Sequence, residues 1–470
     1  MSVTVLGAGI GGLSAAHYIK KLSLKPITIL EATDRVGGWI NSHKFDDGLI
    51  FEAGPRTIRP KGLPGANTLE IVEELGLEKF LKPIDSQHIA AKNRMIYAKG
   101  QLCLLPSSLP SIFTKRPPFE ESLFNVITKG LKARRFEKKD DESIYDFVER
   151  QFGTEVADYL ISPMICGICA GNAKEISVNF LMSNIFAHEQ KHGDLIKGFF
   201  MSKLAKKDKF PTVMSLRLAN RAKKERWNIY SFDGGLEIFP RKLAVLLQQR
   251  NVKIQLHSPC DKIEFLSNNV VNLHCGDEIR DTEYVVSSLP SFKLAETVQD
   301  QHPTLANHLK SIPFVDVAVI NFQYNDPELI KQPGFGVLVP PKEKLPILGI
   351  IFDSCCFDME DQTVLTVMMG GHWFRELFGN DPDPENLKKI ALENIEKILG
   401  INAEPNKAQV NIHRKCIPQY TLGHLARVKA IRQYIAEKKL PLGVCGASYD
   451  GVGVNDVILS ARHAAKPFYL

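Results

Sequence analysis

The sequence predicts an α/β fold built on a Rossmann-like dinucleotide-binding domain assembled from separated stretches of chain. Three observations lead there. A β-branched run breaks into Gly7-x-Gly9-x-x-Gly12, an acid ends the next apolar run, and a second glycine-rich strand–helix junction closes the chain. A lone glycine motif is weak evidence; the order strand, turn, helix, strand, acid gives it meaning.

The apolar spacing predicts a strand over Val3–Leu6 and a helix over Leu13–Lys20, with apolar residues at 13, 15, 16 and 19. Gly7 permits a sharp turn, and Gly9 and the adjoining Ile10 let backbone N–H groups approach a pyrophosphate. Gly12 lets helix and strand pack closely. The anion then lies at the positive end of the helix. ITIL (27–30) is the second strand, and Glu31 follows it 19 residues after Gly12. That is close to the separation expected for a carboxylate on ribose hydroxyls, about 20 residues.

The stretch Arg35-Val36-Gly37-Gly38-Trp39 then adds a second glycine loop with a cation beside it. A nicotinamide half-domain has no need of it, so it points to FAD. FEAGPRTIRP (51–60) contributes Gly54, Pro55, Arg56 and Arg59 as neighbours of the same phosphates or of the ring. YSFDGGLEIFPRKLAVLL (230–247) is another Gly-Gly turn into a helix, followed by VKIQL and IEFL as strands. At the far end Leu440–Cys445 reads as a strand, Gly446–Gly453 as a glycine-rich crossing and Val454–Lys466 as a helix. The N-terminal N–H groups of that helix would face an electron-rich ring edge and stabilise charge gained on reduction.

Length and composition bound the rest. At 470 residues with 24% charged side chains, the chain suits two or three folded domains. Nine cysteines, at 103, 166, 169, 260, 275, 355, 356, 416 and 445, form no framework, and no signal peptide precedes the first strand, which suits a reducing compartment. Cys166-Gly-Ile-Cys169 has redox or zinc spacing but no second such pair, so it reads as two small buried hydrophobes. No metal cluster and no catalytic dyad stand out.

The net charge of +6 is unevenly placed: residues 92–139 hold 11 Lys/Arg against 3 Asp/Glu, and residues 186–226 hold 11 against 4. Beside them lie short apolar pieces, LCLLPSSLPSIF (102–113) and LIKGFFMSKL (195–204), none reaching the roughly 18 apolar residues of a spanning helix. This pattern fits either a protein lying on an anionic membrane or a solvated basic face. No stacking-aromatic or base-reading motif supports nucleic acid.

GAGIGGLSAA, E…RVGGWI and the terminal strand–helix resemble the flavin amine oxidase superfamily (the amine oxidase/p-hydroxybenzoate hydroxylase type of FAD fold). FEAGPRTIRP, NRMIYAKG, FDGGLEIFP, KCIPQYTLGH and GASYDGVGVND resemble, within it, the protoporphyrinogen oxidases of the eukaryotic mitochondrial type, over residues 1 to 465. The resemblance implies one non-covalent FAD per chain, with Gly7, Gly9, Gly12, Glu31, Arg35, Gly38 and Trp39 around its nucleotide half. Gly446, Ala447, Val452, Gly453 and Val454 would run along the ring. It also implies Arg94 as the partner of a substrate propionate, and Phe335, Leu338 and Met368 as apolar contacts of a flat tetrapyrrole, although strand core is the commoner reading of such residues.

The implied reaction is the six-electron oxidation of protoporphyrinogen IX by oxygen to protoporphyrin IX, with release of peroxide, the penultimate step of haem biosynthesis. The implied setting is the mitochondrial inner membrane, bound from one side and without a cleavable presequence, with a homodimer and product handover to ferrochelatase as further family habits. The implied partition is FAD-binding (1–62, 226–290, 408–470), substrate-binding α+β (63–94, 200–225, 291–407) and helical membrane-binding (95–199). Two departures stand out: Cys260 replaces the valine that many relatives place against the adenine, and Ala447-Ser448 stand where much of the superfamily has an acid. A general base is not nameable; His88, His424 and Asp353 are candidates not adopted. Alternatives are an amine oxidase, a carotenoid-type desaturase, which lacks KCIPQYTLGH, and a GDP dissociation inhibitor-like protein that uses the fold without flavin.

Overall fold

The computed structural model describes residues 2–106, 109–132, 138–193, 216–266, 270–357, 359 and 361–468. The chain divides into two compact units. One comprises Met1–Pro83, Phe210–Pro313 and Leu425–Leu470; the other comprises Ile84–Lys209 and Phe314–His424.

The first unit is built on a five-stranded sheet in the order Leu442–Val444, Tyr284–Ser287, Val3–Leu6, Ile27–Leu30, Val252–Gln255. Every pairing is parallel, with Val3 opposite both Tyr284 and Ile27. Such a sheet is covered on both faces, which is why VTVL and ITIL are almost continuously apolar. Val5, Ile29, Val285 and Val286 are fully buried, each worth about 1.5–3 kcal/mol relative to exposure.

The first helix runs Ile10–Leu22, starting directly behind the glycine turn, with the Leu13 N–H donating to the Gly9 carbonyl at 3.0 Å. The sequence pattern had it begin at Leu13, because glycines at 11 and 12 carry no periodic signal. The last strand spans Leu442–Val444 and the last helix Val454–Ala464, followed by a 3₁₀ turn at Lys466–Phe468. A three-stranded antiparallel sheet (Lys262–Phe265, Val271–Cys275, Glu278–Thr282) and the antiparallel pair Ser42–Lys44 with Ile50–Glu52 also belong to this unit.

The second unit is built on a seven-stranded sheet in the order Lys407–Pro418, Phe314–Tyr324, Thr363–Gly371, Ile347–Phe352, Gly336–Leu338, Met95–Ala98, Gln101–Leu104. All pairings are antiparallel except Gly336–Leu338 with Met95–Ala98. Ala318, Ile320, Phe322, Leu365, Val367 and Met369 cluster with Leu387, Ala391 and Ile395 of the helix Pro384–Leu399. Asp383 caps that helix through the N–H groups of Glu385 and Asn386, and Gly400 ends it in the left-handed region at φ 70°. Residues of the other parity, Val317, Val319 and the half-buried Met368, pack instead with Cys166 and Ala170.

A helical stretch precedes that contact. Ser143 caps Ile144–Phe152 by accepting the Asp146 N–H at 3.0 Å, a π-helical turn covers Ala157–Ile161, and Ser162–Cys169 follows. Arg150 ties the stretch together by bonding the buried carboxylates of Glu142 and Glu189. Most of the second basic stretch, with LIKGFFMSKL, lies outside the described residues, as do 133–137 of the first. In the described part, Phe113 and Phe124 are 61% and 42% exposed with ring centroids 4.6 Å apart. Among the described residues no helix is long and apolar enough to cross a membrane.

Candidate functional site

The residues that the sequence marks for a nucleotide converge within the first unit through backbone. At Gly12 an added Cβ would lie 1.9 Å from the Gly7 carbonyl oxygen, so only glycine lets the helix follow the turn this closely. Gly7 itself sits at φ 93°. The second glycine loop lies directly against the first: the Gly37 N–H donates to the Ala8 carbonyl at 2.9 Å, and Gly9 and Gly37 form an isolated parallel bridge. A Cβ on Gly38 would come within 3.1 Å of the Gly9 Cα. The two glycine turns are therefore one surface of bare backbone. It adjoins the N-terminus of a 13-residue helix that has no side-chain cap and no acid in its first turn. Unpaired N–H groups and an uncompensated dipole are what a pyrophosphate needs.

Glu31 closes one side. Its Oε2 accepts the Ala8 N–H at 2.7 Å, while Oε1 accepts from the Thr33 N–H at 3.0 Å and hydroxyl at 2.8 Å. The carboxylate is thereby pinned at the strand end, and it also braces the glycine turn. The chain at 257–258 runs beside it, with the Ser258 N–H on the Glu31 carbonyl and the His257 N–H on the Thr33 carbonyl. Cys260 follows two residues beyond Ser258, its thiol pushed up to about 12, chiefly by burial.

Arg35 folds onto its own loop. Its guanidinium donates to the carbonyls of Val36 (3.3 Å), Gly38 (2.5 Å) and Ile40 (3.2 Å). It stands 4.0 Å from the buried Glu237 carboxylate. In this structure it shapes the second loop. FDGGLE has a related part: Gly234 and Gly235 have φ near 90°, and the Leu236 N–H donates to Glu52 Oε1 at 2.7 Å. Ser42 bonds both Glu52 and the Glu237 N–H. Glu52 and Glu237 thus hold the residues following Trp39, which is itself 44% exposed.

The far segments join the same place. A Cβ on Gly54 would lie 2.0 Å from the Trp39 carbonyl oxygen, so this glycine carries FEAGPRTIRP across the second loop. Arg56 is buried and Pro55 half-buried. Asn455 in the last helix donates to the Arg59 carbonyl at 2.7 Å. Gly446, at φ 110°, lies with its Cα 3.9 Å from where a Cβ on Gly11 would be. Ala447, Val452 and Val454 are half-buried, and Gly453 is exposed at the start of the last helix. Asp456, in that first turn, is held above the ordinary carboxylate range by burial, partly offset by a hydrogen bond from the Gly453 backbone.

Some of these supports have no sequence signal. Ser288 donates its hydroxyl to the Leu6 carbonyl at 2.8 Å and touches both glycine segments. A serine following a strand in VVSSLP has nothing to mark it.

The second unit assembles its candidate residues from side chains. The Phe335 N–H donates to the Asn93 carbonyl at 3.0 Å, beside Arg94, and the Leu105 N–H donates to the Arg94 carbonyl at 2.9 Å. Register pairs Leu338 with Gly349 and Gly349 with Met368, so these two lie on strands of one sheet, while Phe335 and Arg94 immediately precede its strands Gly336–Leu338 and Met95–Ala98. Arg94 is exposed, and Phe335, Leu338 and Met368 are half-buried. A Cβ on Gly167 would meet a Leu338 methyl at 2.8 Å, so this glycine, which the sequence did not flag, sets how near the Ser162–Cys169 helix comes.

That helix's cysteine pair is buried, with both thiols pushed up to about 12 by burial. KCIPQYTLGH is tied to the helical stretch. Gln419 donates to the Cys169 carbonyl at 2.9 Å, the Ser177 N–H to the Tyr420 carbonyl at 2.9 Å, and the Gly423 N–H to Asp141 at 2.9 Å. The histidines and the acid not adopted as bases have structural partners. His88 caps a short helix through the Ala90 N–H, His424 stacks on Tyr420 at 3.7 Å, and Asp353 accepts the Thr366 hydroxyl at 2.6 Å.

Fold and site together define a flavin-dependent oxidase, and the chain belongs to the flavin containing amine oxidoreductase family, which it matches over residues 10–466. Within that family it groups with the protoporphyrinogen oxidases. It is 37% identical to protoporphyrinogen oxidase of Bos taurus and 36% identical to that of Homo sapiens, in each case over 99% of this chain and 97% of the relative. Cyclohexylamine oxidase from Brevibacterium oxydans shares the fold at TM-score 0.70 and 15% identity, covering 100% of this chain and 98% of that one.

Proposed function

We propose that this protein catalyses the FAD-dependent, oxygen-consuming six-electron oxidation of protoporphyrinogen IX to protoporphyrin IX. One peroxide is released for each electron pair passed to oxygen. The observation that carries the reading is full-length likeness to animal protoporphyrinogen oxidases. Arg94 beside an apolar run of Phe335, Leu338 and Met368 supports it, because a flat macrocycle with carboxylate arms needs those two surfaces.

FAD, bound non-covalently and once per chain, would supply hydride acceptance and return the electrons to oxygen. The double glycine turn holds its pyrophosphate, Glu31 its ribose, and Cys260 lies toward the adenine. Arg35, Gly38 and Trp39 form the loop on the flavin side, Gly54, Pro55 and Arg56 adjoin it, and Gly446, Ala447, Val452, Gly453 and Val454 line the ring. Arg94 holds a propionate by a charge-assisted contact. Phe335, Leu338 and Met368 exclude water and fix the plane of the ring, and their contribution is placement rather than proton transfer.

The helical segment within 95–199, with the exposed Phe113 and Phe124 beside Lys115 and Arg116, supports attachment to one leaflet of the mitochondrial inner membrane. A homodimer and transfer of product to ferrochelatase complete the reading. The test is an absorption spectrum of the purified protein, then addition of anaerobically prepared protoporphyrinogen IX and admission of air. Flavin bands and enzyme-dependent porphyrin fluorescence are expected. Peroxide from amines with none from protoporphyrinogen would make it an amine oxidase, and protein left colourless after adding FAD would make it a binding protein.

A further inference from the structure

The segment 446–454 carries five residues assigned to the flavin ring, and two of its own side chains help to fix it: Ser448 accepts the Ser291 N–H at 3.0 Å, and Asp450 links its start to a neighbouring helix. The Gly446 N–H, at a residue with φ 110°, donates to the Ser460 hydroxyl at 3.1 Å. Ser460 donates its one proton to Asp450 Oδ2 at 2.5 Å. Asp450 in turn accepts from Arg432 Nη2 on both oxygens, each at 2.7 Å. The chain therefore runs from an arginine on the helix His424–Glu437, through an acid and a buried hydroxyl, to the peptide from which the flavin-facing segment starts.

Its polarity has a single sense. A guanidinium only donates, a carboxylate only accepts, and a hydroxyl that gives its proton to Asp450 must turn a lone pair toward Gly446. Arg432 and Asp450 keep 47% and 25% of their side-chain surface and line a surface hollow of about 530 Å³ with Leu425, Val428 and Tyr449. Ser460 is 2% exposed. The relay thus connects solvent to the ring-side backbone without using a residue that faces the ligand.

We infer that Arg432, Asp450 and Ser460 are positioning residues for FAD, acting through the Gly446 peptide. The inference rests on the FAD reading of this segment. An ionised acid strengthens the bond it receives from Ser460, and cooperative polarisation passes that on to Gly446. Without the chain, the Gly446 N–H loses its partner, and the ligand has to order this end of the segment, at a cost to affinity.

The experiment strips FAD, measures its Kd on re-addition, and records the visible circular dichroism and midpoint potential of the bound flavin. Asp450→Asn and Ser460→Ala are expected to raise Kd about tenfold, the scale of losing one charge-assisted hydrogen bond, and to change the flavin dichroism. Arg432→Ala is expected to raise it about threefold, being half-exposed, and Arg432→Lys to return it to the wild-type value. Arg432→Ala also leaves the melting temperature of the flavin-free protein unchanged, so it remains informative if Ser460→Ala fails to fold. Wild-type Kd, dichroism and potential in Asp450→Asn and Arg432→Ala would overturn the relay while leaving FAD binding intact. A wild-type protein that binds no FAD would overturn the parent reading.

Discussion

In the first unit the groups proposed to face the cofactor are main-chain N–H groups and bare Cα surface. In the second the groups proposed to face the substrate are the guanidinium of Arg94 and the apolar side chains of Phe335, Leu338 and Met368. The first arrangement depends on what is missing: a Cβ at Gly12 or Gly54 would stand within 2.0 Å of a carbonyl oxygen. The second depends on side chains brought side by side by long-range strand pairing, and any of several apolar residues could fill those places. A pyrophosphate and a ribose have fixed shape and charge, so the surface that holds them is narrowly constrained. An apolar ring face asks only for area and exclusion of water.

Breaking the backbone side should have the largest effect. Gly12→Ala is expected to cost about 3 kcal/mol or more, since the clash is with main chain and nothing nearby is free to move; urea unfolding measures it, and a stability near wild type would show that the turn tolerates a side chain. Glu31→Ala follows. It removes both the proposed ribose contact and the bond to the Ala8 N–H, so the FAD Kd should rise about a hundredfold. Purified Glu31→Ala with undiminished flavin content would remove the ribose assignment.

On the side-chain side the effects should be smaller and separable from the flavin. Arg94→Ala should raise the KM for protoporphyrinogen about tenfold with the flavin spectrum unchanged. Wild-type kinetics would delete the propionate contact and leave the comparison resting on the apolar residues.

The smallest effect concerns Cys166 and Cys169 behind that sheet. Burial pushes both thiols up to about 12, whereas an unfolded thiol ionises near about 8.5. The folded pKa is the higher one, so this contribution to stability is complete below about 8.5 and declines as pH rises above it. The urea midpoint should fall between about pH 8 and pH 10, and Cys166→Ala/Cys169→Ala should flatten that fall. Rapid alkylation of either thiol in the folded protein at neutral pH would contradict the burial on which this rests.

How much was legible follows from the same contrast. The glycine turn, Glu31, the second loop and the terminal strand–helix could all be read from local order, because each is a contiguous piece of chain with one demanding geometry. Arg35 was legible as a cation beside a glycine loop, but not as a brace on that loop's own carbonyls, because the loop's folded shape decides where the guanidinium reaches. Arg94, Phe335, Leu338 and Met368 came only with the resemblance, since an arginine before a strand and apolar residues within strands are common everywhere. Ser288, Gly167 and the Arg432–Asp450–Ser460 chain carried no local signal. The basic stretch at 194–215 lies outside the described residues, so its part in membrane attachment stays with the proposal.

The sequence by itself determined that the chain begins and ends with the two halves of a nucleotide fold, because glycine spacing and a strand-end acid encode backbone geometry within a few residues. Only the tertiary structure decided which separated segments meet. It laid Gly37–Gly38 against Gly9, Asn455 against Arg59, and Ser460 between Asp450 and Gly446. Those contacts join residues up to 396 positions apart, and they are fixed by sheet order and helix packing, which no local pattern records.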